Sequence, residues 1–407
     1  MWRNRLGLAR PVGGSLARKV IEMRKVIEMR SIVGSLLLLS LGSGAMATGA
    51  QGPETRTGAT PGCRVADTLP PPESAVPAPE FNELFALSGP GWTGGDSTYS
   101  TKLPDGRTLW QFSDTFLGVV DRRGGRDRHS PMINNSMVVQ DGERLETLAA
   151  GDPTLPASFF PSPTGERDDW YWQYDSTVEE SPDGPKLRVF LLHFTRAGAG
   201  VFGFKWMGNA LATLSLPDLA IESITQVTAE GGVSWGAALL ETEEHTYIYG
   251  TEDLGDDKYM HLARAPRGGV TGPWEFWDGV SWNADPASTA RIMRGVANEY
   301  SVSAHAGGFV LVTMDTTTTF SPDLVAFTAC APQGPWENRT LLYRTPESLL
   351  ENQITYNAHV HPQFKNEDGW LVSYNVNTRN FGDLFLDASI YRPRFIRVPF
   401  KEAVNAE

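Results

Sequence analysis

The chain has 407 residues, 41% of them hydrophobic and 10% aromatic, with 41 Gly, 28 Pro and a formal net charge of −13. Its 12 Trp, 11 Tyr and 19 Phe exceed what a helical bundle needs and suit sheet packing or stacking against flat ligands. The acidic balance offers no basic stripe to neutralise phosphates, which argues against nucleic acid as a partner.

In chain order, Arg24, Lys25 and Arg30 precede an apolar run, Ile32–Leu41, and the small-residue site Ala45-Met46-Ala47. Residues 1–47 thus read as a secretory signal, with an apolar run too short to span a bilayer. The pentapeptide VIEMR occurs at both 20–24 and 26–30, which places the expected initiator at Met23 or Met29. No later stretch is apolar for long enough to cross a membrane. The mature protein is therefore expected to be secreted, extracellular and free of integral membrane segments. Residues 48–80, rich in Gly, Thr and Pro, read as an extended linker. The two cysteines, Cys63 and Cys330, read as one disulfide in an exported chain.

From Phe81 to Phe400 helix-period patterns are nearly absent, and short β-branched and aromatic runs recur between Gly, Asp, Asn and Pro. Five runs share one form, a turn leading into an apolar strand: Asp105–Phe112, Pro185–Leu192, Glu244–Gly250, Gly307–Val312 and Asp368–Tyr374. The last three are about 62 residues apart. A second repeat keeps that spacing, with Gly272-Pro273-Trp274-Glu275 matched by Gly334-Pro335-Trp336-Glu337. Each copy follows an Ala-x-Ala-Pro strand, so one unit holds four antiparallel strands. About 320 residues at about 64 per unit predict an all-β, five-bladed β-propeller over residues 81–400, leaving 401–407 as a tail.

In a propeller the innermost strands line a central channel, where polar side chains face one another. The expected inner strands are Gly94–Ser100, Trp170–Asp175, Ser234–Ala238, Asn298–Ser303 and Asn357–Pro362. They bring carboxylates, imidazoles and indoles together, the composition of a sugar site. Glycoside hydrolysis needs one protonated and one ionised carboxyl group. Asp96, after two glycines that let substrate approach the backbone, is one candidate. Asp114, which interrupts an apolar strand, is the other. Each also reads as a turn aspartate. Glu299 is a third carboxylate, for substrate contact or for pairing with Arg294. His359 and His361 share a strand face and read as substrate contacts or satisfied core histidines. No further ligand cluster accompanies them, so no metal and no cofactor is expected. Trp235 reads equally as a stacking platform or as blade packing, and Asn134 and Asn135 as sugar contacts or a turn.

Several of these residues resemble a known family. Gly94-Gly95-Asp96, the strand Asp105–Trp110 and Ser113-Asp114-Thr115-Phe116-Leu117-Gly118 are similar to a family of bacterial secreted propellers. That family, first catalogued as a domain of unknown function, is associated with endo-D-arabinanase activity. Asn134-Asn135-Ser136, Tyr247–Thr251 and Ser373–Asn377 extend the resemblance across roughly residues 81–400. It implies that Asp96 and Asp114 are the catalytic pair. Two departures stand out: Ser113 replaces the common Gly, and blade 2 carries a long insertion rich in Asp and Trp. The combined expectation is a monomeric glycoside hydrolase that cuts an arabinan-like polysaccharide from within. The alternative is a non-catalytic carbohydrate-binding propeller of the cell surface.

Overall fold

The computed structural model describes residues 63–200 and 203–402. The expected signal segment, the start of the linker and the last five residues of the tail lie outside the described residues. Five small antiparallel sheets make up a five-bladed β-propeller. Their inner strands are Trp92–Lys102, Asp169–Glu179, Val233–Glu241, Tyr300–His305 and Gln353–Asn366. Each inner strand touches those of the blades on either side, and the fifth touches the first, so the ring closes.

The apolar runs seen in the sequence are the second strands. Leu187, Val189, Phe190, Leu191 and Leu192 of Lys186–Arg196 are all buried, although their side chains alternate between faces. Both faces of a blade are covered by its neighbours, so a middle strand reads as a continuous apolar run. The core lies between blades. Leu109, Met137, Leu187 and Val189 fill the gap between blades 1 and 2, and Val310, Leu324, Val372 and Val376 that between blades 4 and 5.

The linker expected to run to Glu80 ends earlier. Val76–Pro77 pairs antiparallel with Pro393–Val398 and forms the outermost strand of blade 5, so both ends of the domain share one blade. A short helix, Pro79–Leu84, follows and buries Phe81 against Trp110, Phe364 and Phe395. Ahead of that strand, Val65 and Ala75 are buried, and Cys63 is joined to Cys330 at the end of the third strand of blade 4. Gly308 makes room for this segment. A Cβ there would come within 2.7 Å of Val65 and 3.0 Å of the Cys63 sulfur.

Four of the five inner strands share a local irregularity. Their pairing with the second strand slips at Gly95–Tyr99, Gln173–Ser176, Trp235–Ala238 and Tyr356–His359. Such bulges re-aim side chains and interrupt the ladder. In blade 1 the bulge puts Ser97 and Thr98 at φ 70° and 60°, and in blade 5 it puts Asn357 at φ 53°. Left-handed backbone at a non-glycine residue costs about 1–3 kcal/mol and persists where the surroundings enforce it.

Candidate functional site

The bulges surround a cavity of about 1130 Å³. Four inner strands contribute to it, through Asp96, Trp172, Ser234 and Tyr356, and blade 4 adds Glu299 from just ahead of its inner strand. That exceeds the roughly 300–1,000 Å³ of ordinary small-molecule pockets. One flank is aromatic: Trp172 lies 4.4 Å from Phe194 and 4.8 Å from Phe204, centroid to centroid.

Asp96 sits at the blade 1 bulge. Its Oδ2 accepts hydrogen bonds from the Tyr356 and Tyr391 hydroxyls, both at 2.8 Å, and its Oδ1 has no partner. Gly94 and Gly95 do not serve substrate approach, as the sequence led one to expect. A Cβ on Gly94 would lie 2.2 Å from the Tyr391 carbonyl oxygen and 2.3 Å from an Arg126 nitrogen, and one on Gly95 would press on Trp92 and Phe112. The glycines admit the segment that carries Tyr391. Buried Arg126 fastens it, donating to the Leu384 and Ala388 carbonyls at 2.8 and 3.0 Å and to that of Thr93 at 2.7 Å.

Asp114, on the second strand of blade 1, lines the same cavity. Its Oδ1 accepts from the Trp172 indole N–H at 2.9 Å and from the Asn134 amide at 3.1 Å. The two aspartates act on each other. Burial pushes the Asp96 carboxyl well above its ordinary range, and the Asp114 charge pushes it further. The two tyrosine hydroxyls work in the opposite direction, and the Glu299 charge again raises it. Asp114 is raised to about 6: burial drives it up, while Trp172, Asn134 and the Arg196 charge oppose.

Glu299 precedes the inner strand of blade 4 and also lines the cavity. Its Oε1 accepts from Ser97 Oγ at 3.0 Å and Asn357 Nδ2 at 2.9 Å, and its Oε2 lies 2.9 Å from His359 Nε2. Arg294 is not its partner; that guanidinium pairs with Asp257. Burial raises Glu299 to about 8 and lowers His359 to about 3, so near neutrality the acid is mostly protonated and the imidazole neutral.

Three expected substrate contacts lie elsewhere. His361 is fully buried, with its ring nitrogens 2.6 Å from Ser100 Oγ and 2.9 Å from Ser373 Oγ and its ring beside Trp110. Trp235 is fully buried against Trp274 and Phe276, just ahead of a bulge that begins at Gly236 (φ 96°). Asn135 is buried too. Its amide donates to the Phe160 and Tyr171 carbonyls and accepts from the Phe160 N–H, so it ties blade 1 to blade 2 while Asn134 reaches the site. His359 is buried and meets the cavity only through Glu299. The residues that sequence reasoning missed are Tyr356, Tyr391 and the indole N–H of Trp172. Tyr391 follows the blade motifs in a connecting segment, and no spacing marks it. Among the described residues no three His, Cys, Asp or Glu side chains gather to hold a metal ion, and no helix is long and apolar enough to cross a membrane.

The fold and this cavity define a five-bladed propeller with two interacting aspartates where its inner strands meet. The chain belongs to the family described as a domain of unknown function, DUF5005, which matches residues 79–401. No curated protein sequence matches it. Among solved structures it is similar to a Bacteroides ovatus ATCC 8483 protein described as a candidate hydrolase. The identity is 25% and the TM-score 0.68, over 80% of this chain and 90% of that one. Looser likenesses include the α-L-arabinofuranosidase of Podospora anserina in complex with cellotriose (11% identity, TM-score 0.47, 81% of this chain and 98% of that one). A GH43_1 enzyme of Xanthomonas citri complexed with xylotriose has 15% identity and a TM-score of 0.46 over 80% and 94% of the two chains.

Proposed function

We propose that the protein is a secreted glycoside hydrolase that cleaves an arabinan-like furanose polysaccharide from within the chain. In this reading Asp96 is the proton donor and Asp114 the carboxylate that activates water or attacks the anomeric carbon. The observation that carries it is the unequal treatment of two coupled carboxyls in one cavity. Asp96 has Oδ2 covered by two tyrosine hydroxyls and Oδ1 unpartnered, and burial together with the Asp114 charge pushes its carboxyl well above the ordinary range, whereas Asp114 is held by Trp172 and Asn134. Two carboxyls whose surroundings drive their pKa values apart are what acid/base cleavage of a glycosidic bond requires. The cavity volume favours an oligomeric ligand over a single sugar, and the wall of Trp172, Phe194 and Phe204 supplies an apolar face for a ring. The Bacteroides ovatus protein described as a candidate hydrolase supports the class. The signal-like residues 1–47 support export.

The test is incubation of the purified mature domain with D-arabinan, L-arabinan and other furanose polymers, with released oligosaccharides as the readout. Internal cuts are expected in one of them. Asp96→Asn and Asp114→Asn should each lower turnover by about 10²–10⁴-fold while retaining polymer binding. Binding without product in the wild-type domain would replace this reading with a carbohydrate-binding propeller.

A further inference from the structure

We infer that Glu299 is a positioning residue: from blade 4 it clamps the bulge of blade 1 and the adjoining bulge of blade 5, and so fixes the aim of both aspartates. The inference rests on the two-aspartate reading above, but its geometry is independent of any substrate.

Glu299 touches neither aspartate through a hydrogen bond. It touches the residue beside each support. Ser97, which follows Asp96 in a left-handed conformation, donates to Glu299 Oε1 at 3.0 Å and lies 2.9 Å from the hydroxyl of Ser113, the neighbour of Asp114. Asn357, also left-handed, donates to the same oxygen at 2.9 Å and follows Tyr356, whose hydroxyl holds Asp96. One side chain therefore meets two strained residues 58 and 202 positions away. Left-handed backbone at such residues relaxes unless something holds it. His359 closes the clamp from behind at 2.9 Å.

The carboxyl acts here chiefly as a neutral group, since burial raises it to about 8. A glutamine reproduces that form: its carbonyl accepts from Ser97 and Asn357, and its N–H donates to His359. An alanine reproduces nothing. The groups that bear on Asp96 are Asp114, Glu299, Tyr356 and Tyr391, and those that feel the Glu299 charge also include Tyr99 and Tyr174.

The test compares wild type, Glu299→Gln, Glu299→Ala and Ser97→Ala, with thermal melting as a check that each is folded. Glu299→Ala is expected to lower kcat by about 10²-fold with KM changed far less, the cost of a misaimed group. Glu299→Gln should lose less than about 10-fold. Ser97→Ala should reproduce much of the alanine loss, and the double variant should lose less than the product of the two single losses. A readout that needs no turnover is the ¹³C carboxyl titration of Asp96. Its pKa should fall in Glu299→Ala, as water enters the space the side chain filled, and stay near the wild-type value in Glu299→Gln, which keeps that space filled. Equal kcat losses in Gln and Ala, or an Asp96 titration unmoved by Glu299→Ala, would overturn the clamp. Wild-type inactivity on every polymer would count against the hydrolase reading alone, because the titration still reads the clamp.

Discussion

The inner strand of blade 5 passes through two regions that differ in one respect. At the cavity end, Tyr356 and Asn357 hold Asp96 and Glu299. Two residues beyond His359, His361 has both ring nitrogens engaged by serine hydroxyls and an indole alongside. Both regions are polar, and both belong to inner strands. The difference is whether the protein exhausts the hydrogen-bonding capacity of the side chain. His361 and Asn135 are satisfied from within, whereas Asp96 keeps an oxygen with no partner. A buried acceptor left unmet costs about 1–3 kcal/mol, a cost that a ligand bound in the cavity would offset.

This contrast can be broken by substitution. The largest effect is expected at Trp235, where replacement by Ala should cost about 3–5 kcal/mol of stability in urea unfolding, with turnover per folded molecule unchanged. A lost glycan affinity at full stability would return Trp235 to the site. Asn135→Ala should cost about 1–3 kcal/mol and likewise spare turnover, since it strands three backbone groups. The smallest effect has the opposite sign. A carboxyl whose folded pKa lies above its unfolded value binds more protons when folded, so it weakens the fold as pH rises through the unfolded value. Asp96→Asn should therefore melt higher than wild type near pH 8, with the gap closing toward pH 4. A variant that melts lower at pH 8 would show that the Asp96 charge stabilises the fold.

The repeat was legible because middle strands covered on both faces leave continuous apolar runs, and because the Gly-Pro-Trp turns recur at the same interval. The inner strands followed from their position before those runs. Asp96 and Asp114 stood out as charges at the head of, and inside, otherwise apolar or glycine-lined strands, and the structure brings them into one cavity. For Trp235 and His361 the sequence left substrate contact and core packing both open, and the structure places both in the core. The bulges shift the strand alternation that would separate the two, in blade 3 right after Trp235 and in blade 5 between Tyr356 and His359. Val76–Pro77 was hidden in a proline-rich stretch, where composition resembles a linker and only pairing with Pro393–Val398 reveals a strand. Tyr391 reaches Asp96 across 295 residues of sequence, a contact that no local pattern encodes.

The most direct test is a crystal structure of the Asp96→Asn domain bound to an oligosaccharide of the polymer it cuts. The scissile glycosidic oxygen should lie within hydrogen-bond reach of residue 96, with the anomeric carbon turned toward Asp114 and a neighbouring ring on the wall of Trp172 and Phe204. A sugar chain bound at the outer strands, with the cavity filled only by water, would contradict the account.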